Sequence, residues 1–444
     1  MTSLAQLARV AKAVLLAASL AAPASAAVQS AKKAPARKRA DEPSAADLLL
    51  RDAQQALDRQ DYAAAADLYT RFLADHAEVA YAHFQLGYAY TALQRRAEAK
   101  GEYQKAIELD PKMGEGYLNL GLLLLENDPA AAAPVLVKSI ELLPAQAEPH
   151  YLAGTALERS GNLVAAIEHY REAAKLDDSK WEYRIALARA LLASKQAADA
   201  EKEFRKSLVL RPDYAPARLG LAQCLIAQQK LADAAEALRG YLESTPNDKE
   251  TRLQLVSVYA DQSRYDDALK ELDRIDAGPA ASSEPSAEAD GLRVDLLLGA
   301  KRYGEAVAPL RRMLAHAPND AALHARLGRV LMQQRDFPGS QQELVAALRL
   351  DPKLTDALRD LSSTYLLAEN YPAALAAMDE LAKREQPRAG QWFLRALCYD
   401  KLHHLKEALD AYQKFLALDE GKNADQGFQA RQRVRILNDE LNHR

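Results

Sequence analysis

The sequence predicts an all-α solenoid of about eleven helical hairpins closed by a C-terminal capping helix. The first observation behind this is a period. A small residue recurs as Ala65, Ala99, Ala132, Ala166, Ala200, Ala234, Ala268, Ala306, Ser340, Ala374 and Ala408, mostly thirty-four residues apart. The second is a large residue one helical turn later, which runs Tyr69, Tyr103, Leu136, Tyr170, Phe204, Leu238, Leu272, Leu310, Leu344, Met378 and Tyr412. Such a pair marks a helix lying close against another, with the large side chain filling the space beside the contact. The third is composition: 49% hydrophobic residues, 18 glycines and 6% aromatics suit small-residue helix packing rather than sheet. A chain of 444 residues is too long for one globular core, whereas hairpins that pack only on their neighbours have no such limit.

The clearest unit spans residues 80–111. Leu86, Tyr90 and Leu93 form a stripe on a first helix, with Gly87 where a second helix comes close. Ala99, Tyr103, Ala106 and Ile107 follow at helical spacing, and Pro111 after Asp110 stops the helix. These residues resemble the tetratricopeptide repeat: Leu86, Gly87, Tyr90, Ala99, Tyr103 and Pro111 stand at its motif positions, with His83 replacing the usual tryptophan. The closing proline recurs as Pro144, Pro212, Pro246, Pro318 and Pro352, and is replaced by Ala77, Asp178, Ala280, Gln386 and Glu420 elsewhere. The resemblance covers roughly residues 45–422. It implies a right-handed superhelix whose first helices line a concave groove, second helices the convex face, and groove side chains choose the ligand. The family's carboxylate clamp for chaperone tails is not matched, because Phe84 and Tyr88 occupy its places.

In chain order, residues 1–26 read as an export signal. Arg9 and Lys12 precede the apolar run Ala13 to Ala22, Pro23 breaks it, and Ala24-Ser25-Ala26 offers a small-x-small cleavage site. Cleavage after Ala26 is expected, and with it a periplasmic or secreted protein. The alternative is an inner-membrane anchor with the repeats outside, against which the run falls short of the ~20 residues that span a bilayer. Residues 27–44 read as a disordered basic tether with Lys32, Lys33, Arg37, Lys38 and Arg39. Its cations across residues 32–39 would allow weak contact with a membrane surface or an acidic polymer, although a solvating spacer is the simpler reading. Seven repeats then occupy 45–275, the third shortened by a tight turn at Asn127-Asp128-Pro129. The Pro- and Ser-rich stretch 276–286 reads as a linker or hinge. Four repeats follow over 287–422, the eighth with Gly291 and Arg293 where packing residues are expected, and 423–444 forms the cap through Ala430, Val434, Leu437 and Leu441.

Catalysis has no visible seat. The sequence contains no Gly-rich phosphate loop, no Gly-x-Ser-x-Gly elbow, no His-Glu-x-x-His and no paired-cysteine spacing. His403-His404 falls in a hairpin turn, Cys224 and Cys398 read as small buried residues, and the carboxylates read as solvated helix faces. No enzyme activity, cofactor, metal, nucleic acid or small-molecule substrate is therefore expected. The expected function is a protein-interaction scaffold in cell-envelope assembly or secretion that binds a peptide or protein segment in the groove. The alternative is an accessory subunit of a polysaccharide-export or glycosyl-transfer machine whose catalytic part is another chain. Reading the inward columns of the first helices gives an apolar and aromatic stretch at Phe84, Tyr88, Leu118, Leu122 and Tyr151, and a basic one at Arg326, Arg329 and Arg359.

Overall fold

The structure is a computed structural model that describes residues 44–277 and 287–442. The export signal, all but the end of the basic tether, and linker residues 278–286 lie outside the described residues. Among the described residues there are twenty-three helices and no strand, and the chain divides into two compact units, one ending at Lys230 and one beginning at Leu231.

The first unit holds α1 (Ala45–Asp58), α2 (Tyr62–Asp75), α3 (Ala80–Ala92), α4 (Arg96–Leu109), α5 (Gly114–Leu125), α6 (Pro129–Leu142), α7 (Ala147–Arg159), α8 (Leu163–Leu176), α9 (Trp181–Ala193), α10 (Ala197–Leu210) and α11 (Ala215–Ala227). The second holds α12 (Leu231–Ser244), α13 (Lys249–Asp261), α14 (Tyr265–Asp276), α15 (Ala287–Gly299), α16 (Tyr303–His316), α17 (Ala321–Gln333), α18 (Phe337–Leu350), α19 (Thr355–Leu367), α20 (Tyr371–Ala382), α21 (Ala389–Lys401), α22 (Leu405–Asp419) and α23 (Ala424–Asn442).

The hairpin turns explain the period. Gln60, Gln94, Gly161, Lys195, Gln229, Ser263, Lys301, Arg335, Glu369 and His403 all take the left-handed conformation between a first and a second helix. One such residue reverses the chain in the space of three. The third hairpin lacks it: Asp128 N–H donates to Leu124 O directly, so the shorter turn is also a tighter one, as its sequence predicts. Several second helices start on side-chain caps, Asp61 accepting from Ala64 N–H, Asn162 from Ala165 and Asn370 from Ala373.

All eleven small residues of the column from Ala65 to Ala408 are completely shielded from solvent, and their large partners are at most 4% exposed. Gly87 shows why the first helix must be small opposite them: a Cβ there would stand 2.8 Å from the Tyr103 ring. Gly121 repeats the arrangement against Leu136. Burying a side chain of this size stabilises by ~1.5–3 kcal/mol before ordering entropy is subtracted. At the far end α23 lays Ala430 and Leu437, both fully buried, with half-buried Val434 and Leu441, onto Phe393, Tyr412 and Phe415. Cys224 and Cys398 are buried free thiols, pushed up to about 11 by burial.

The carboxylates are not all solvated, which corrects the reading of helix exteriors. A basic side chain in the first turn or so of four first helices clasps a glutamate nineteen residues on, in its own second helix. His83 Nδ1 lies 2.5 Å from Glu102, Arg184 3.0 Å from Glu203, Arg252 2.5 Å from Glu271 and His324 2.6 Å from Glu343. The same side chains reach back to a carbonyl of the preceding segment, His83 to Ala77 O at 3.0 Å, His324 to Pro318 O at 3.1 Å and Arg252 to Pro246 O at 2.5 Å. Each clasp thus ties a hairpin together and anchors it to the chain before it. In the eighth repeat the charges are exchanged, buried Asp290 accepting two bonds from Arg312. Arg293, the misfit of that repeat, donates to Asp273 and Asp276 at 2.6 Å, so α14 and α15 are bridged on either side of the linker.

Candidate functional site

The inner face of the first helices is where the sequence places the site, and its side chains divide into two kinds. Phe84 and Leu118 are each 6% exposed and belong to the core, which corrects their assignment to an open groove. The Phe84 ring lies 5.9 Å from that of Tyr103, and Leu118 packs with Leu125, Leu136 and Leu152. Their column faces the second helix of the same hairpin, so it is covered by it. Tyr88, Leu122 and Tyr151 remain half-buried. The Tyr88 ring meets Tyr62 edge-on at 6.3 Å, and burial pushes its phenol up to about 12.

Tyr151 sits at the centre of a larger arrangement. Its ring lies 5.9 Å from Tyr170 and 4.9 Å from Tyr183, and burial, followed by the charge of Glu182, pushes its phenol up to about 12. One repeat further, Trp181 stands 4.5 Å from Tyr214 with the Arg211 guanidinium 4.7 Å above the indole. Trp181, Tyr183 and Tyr214 are all half-buried and escaped the column reading. A signal was available for Tyr183: its repeat-equivalents include Ala82, Gly116, Pro149 and Ala217, so a tyrosine there has no place inside the hairpin and turns to the face.

Two half-buried carboxylates flank these rings from equivalent positions at the starts of α7 and α9. Burial raises the Glu148 carboxyl, and burial, followed by the charge of Glu148, raises the Tyr183 phenol. The Glu182 Oε2 atom is buried with no hydrogen-bond partner. Exposed Lys180 acts on Glu148 from the rim and exposed Arg189 on Tyr151. The face of repeats four to six is therefore aromatic and acidic, whereas the sequence reading placed an apolar and aromatic stretch over repeats two to four.

The arginines of the second unit are also differently placed from expectation. Arg326 on α17 pairs with Asp295 on α15, Arg329 reaches Asp360 on α19 at 2.7 Å, and Arg359 holds Glu385 at 3.0 Å together with Asp356. Hydrogen bonds to Glu385 and Asp356 raise the Arg359 pKa further. Ion pairs thus replace the expected basic patch, those of Arg326 and Arg329 reaching a neighbouring first helix and those of Arg359 reaching Asp356 in its own helix and Glu385 beyond the next one. Arg326 and Arg329 do come together at the rim of a concavity of about 550 Å³ whose floor includes Leu298, Val330 and Leu354.

Tetratricopeptide-repeat profiles match residues 80–113, 118–180, 191–251, 226–284, 297–353 and 360–423, together well over half of the chain. The chain belongs to the tetratricopeptide repeat family. No curated protein matches it. Among solved structures it is similar to MamA from Desulfovibrio magneticus RS-1, with 24% identity over 38% of this chain and 96% of that one and a TM-score of 0.36. It is similar to YrrB, described as a TPR protein with an unusual peptide-binding site, with 19% identity, 42% and 96% coverage and a TM-score of 0.40. Yeast Tom70 matches at 13% identity over 89% of this chain and 96% of its own, with a TM-score of 0.33. These likenesses extend to the stacking of helical hairpins and no further.

Proposed function

We propose that the chain is a non-catalytic interaction scaffold that holds a segment of a protein partner along the first-helix face of repeats two to six, with its principal contact at Tyr151, Tyr183 and Trp181. The observation that carries this is the half-buried aromatic run itself. Aromatic side chains dominate binding energy where they can be covered, and on this face they are ringed by polar groups rather than enclosed by the hairpin core. The buried, partnerless Glu182 oxygen and the raised Glu148 carboxyl favour a partner segment that brings a cationic side chain to the rings. Family membership supports a protein or peptide as the occupant, and the leader-like residues 1–26 support action outside the cytoplasm, in envelope assembly or secretion.

Site-directed photo-crosslinking in an exporting host tests this. A crosslinker in place of Tyr183 is expected to capture one polypeptide specifically, while one in place of Val209, 81% exposed on the second helix α10, captures none. Capture from Val209 and not from Tyr183 would move the site to the other face. A partner identified as a glycosyl-transfer or polysaccharide-export component would select the accessory-subunit reading.

A further inference from the structure

At the two clasp positions, repeat four carries a pair of a different chemistry. In repeat four both positions are histidines: His150 on α7 and His169 on α8 replace the cation and the glutamate, and their Nδ1 atoms stand 3.3 Å apart. The rings are 5.5 Å apart and tilted by 45° rather than stacked. Two imidazole nitrogens held 2.0–2.1 Å from a tetrahedral Zn²⁺ stand about 3.3 Å apart. The geometry thus already has the spacing of two ligands on one tetrahedral ion.

We propose that His150 and His169 form a two-histidine site for a divalent transition-metal ion of the Zn²⁺ class, which closes the repeat-four hairpin at the two positions where repeats two, five, seven and nine use a basic side chain and a glutamate. A neutral imidazole offers one nitrogen lone pair, and in this pair the two Nδ1 atoms are the ones that face each other. On binding, the single Nδ1 proton that now joins the rings moves to Nε2 of the ring that carries it, so two Nδ1 lone pairs meet the ion and no net proton is lost. Both residues are only half-buried, which leaves room for water in the remaining positions. Among the described residues no group of three or more His, Cys, Asp or Glu converges, so the chain supplies two ligands and solvent completes the sphere. The charges acting on the pair come from α8: Glu172, one turn beyond His169 and ion-paired to Lys175, acts on His150, and Glu168 acts on His169. Both carboxylates favour a cation between the rings.

The test uses the full chain, with ZnCl₂ for calorimetry and thermal unfolding and CoCl₂ for the visible spectrum. The wild type is expected to bind one Zn²⁺ per chain, unfold at a higher temperature with the metal, and revert with chelator. His169→Glu restores the histidine–glutamate clasp seen at His83 and His324, so it keeps the fold while losing at least tenfold in metal affinity; His150→Gln loses as much. A variant with His403→Ala and His404→Ala retains wild-type binding. Wild-type affinity in His169→Glu and His150→Gln, loss of binding in the His403/His404 variant, or binding only above ~1 mM metal would each overturn the proposal.

Discussion

Replacing Glu271 by leucine would test the clasp at its most buried point. Arg252 and Glu271 are 10% and 6% exposed at their side chains, with Nη1 and Oε2 2.5 Å apart. Removing the acid leaves a guanidinium charge sealed between α13 and α14 with only the Pro246 carbonyl for company. Breaking a buried pair from one side costs ~3–5 kcal/mol, against ~0–1 kcal/mol for an exposed pair. The retained carbonyl bond places Glu271→Leu near the lower figure, ~3 kcal/mol. That is about two decades in the opening equilibrium of this hairpin. Because repeats open locally, amide hydrogen exchange of α13 and α14 is the suitable assay. Exchange there should quicken about a hundredfold while α21 and α22 are unchanged. The double variant with Arg252→Leu should recover most of the loss, since two apolar side chains of similar bulk leave no orphaned charge. A single-variant effect below ~1 kcal/mol, or a double variant as damaged as the sum of the two, would refute the argument.

Ala166 has no solvent exposure and lies at the close contact of its hairpin, so Ala166→Trp should overpack the fourth hairpin by at least ~1–3 kcal/mol; an unchanged urea midpoint would contradict the register. The histidines should give opposite pH responses. Burial lowers His150 and His169, so their share of stability is complete above the unfolded value of about 6.5 and is lost as pH falls through their folded values; exchange in α7 and α8 should quicken on acidification. At His324 burial opposes the charge, but Glu343 and the Pro318 carbonyl raise the pKa, so its share is complete below about 6.5 and lost as pH rises through the folded value; exchange in α17 and α18 should quicken on going alkaline. Parallel responses in the two hairpins would contradict this.

The scaffold was legible because one steric requirement recurs at one spacing. Where two helices of a hairpin close, only a small residue fits, and Ala65 through Ala408 mark that point eleven times without exception in burial. The cap was legible for the same reason, since Ala430 and Leu437 repeat the pattern of a helix with one covered face. The site was less so. Phe84 and Leu118 share a helix face with Tyr88 and Leu122, and sequence spacing alone does not tell which neighbouring column a second helix will cover. Arg326, Arg329 and Arg359 read as a patch because their acids, Asp295, Asp360 and Glu385, lie in other repeats or beyond the helix. The clasp at a separation of nineteen was present as complementary side chains in His83 and Glu102 or Arg252 and Glu271, but helical periodicity gives no reason to compare positions that far apart.

The proposed aromatic face is tested most directly by the affinity of the polypeptide crosslinked at Tyr183 for chains carrying Tyr151→Ala or Tyr183→Ala. The account predicts a loss of more than ~1 kcal/mol for each, with the helical signal intact, because both rings are half-exposed and neither fills the alanine-lined contact of its hairpin. Binding that is indifferent to both substitutions would contradict it.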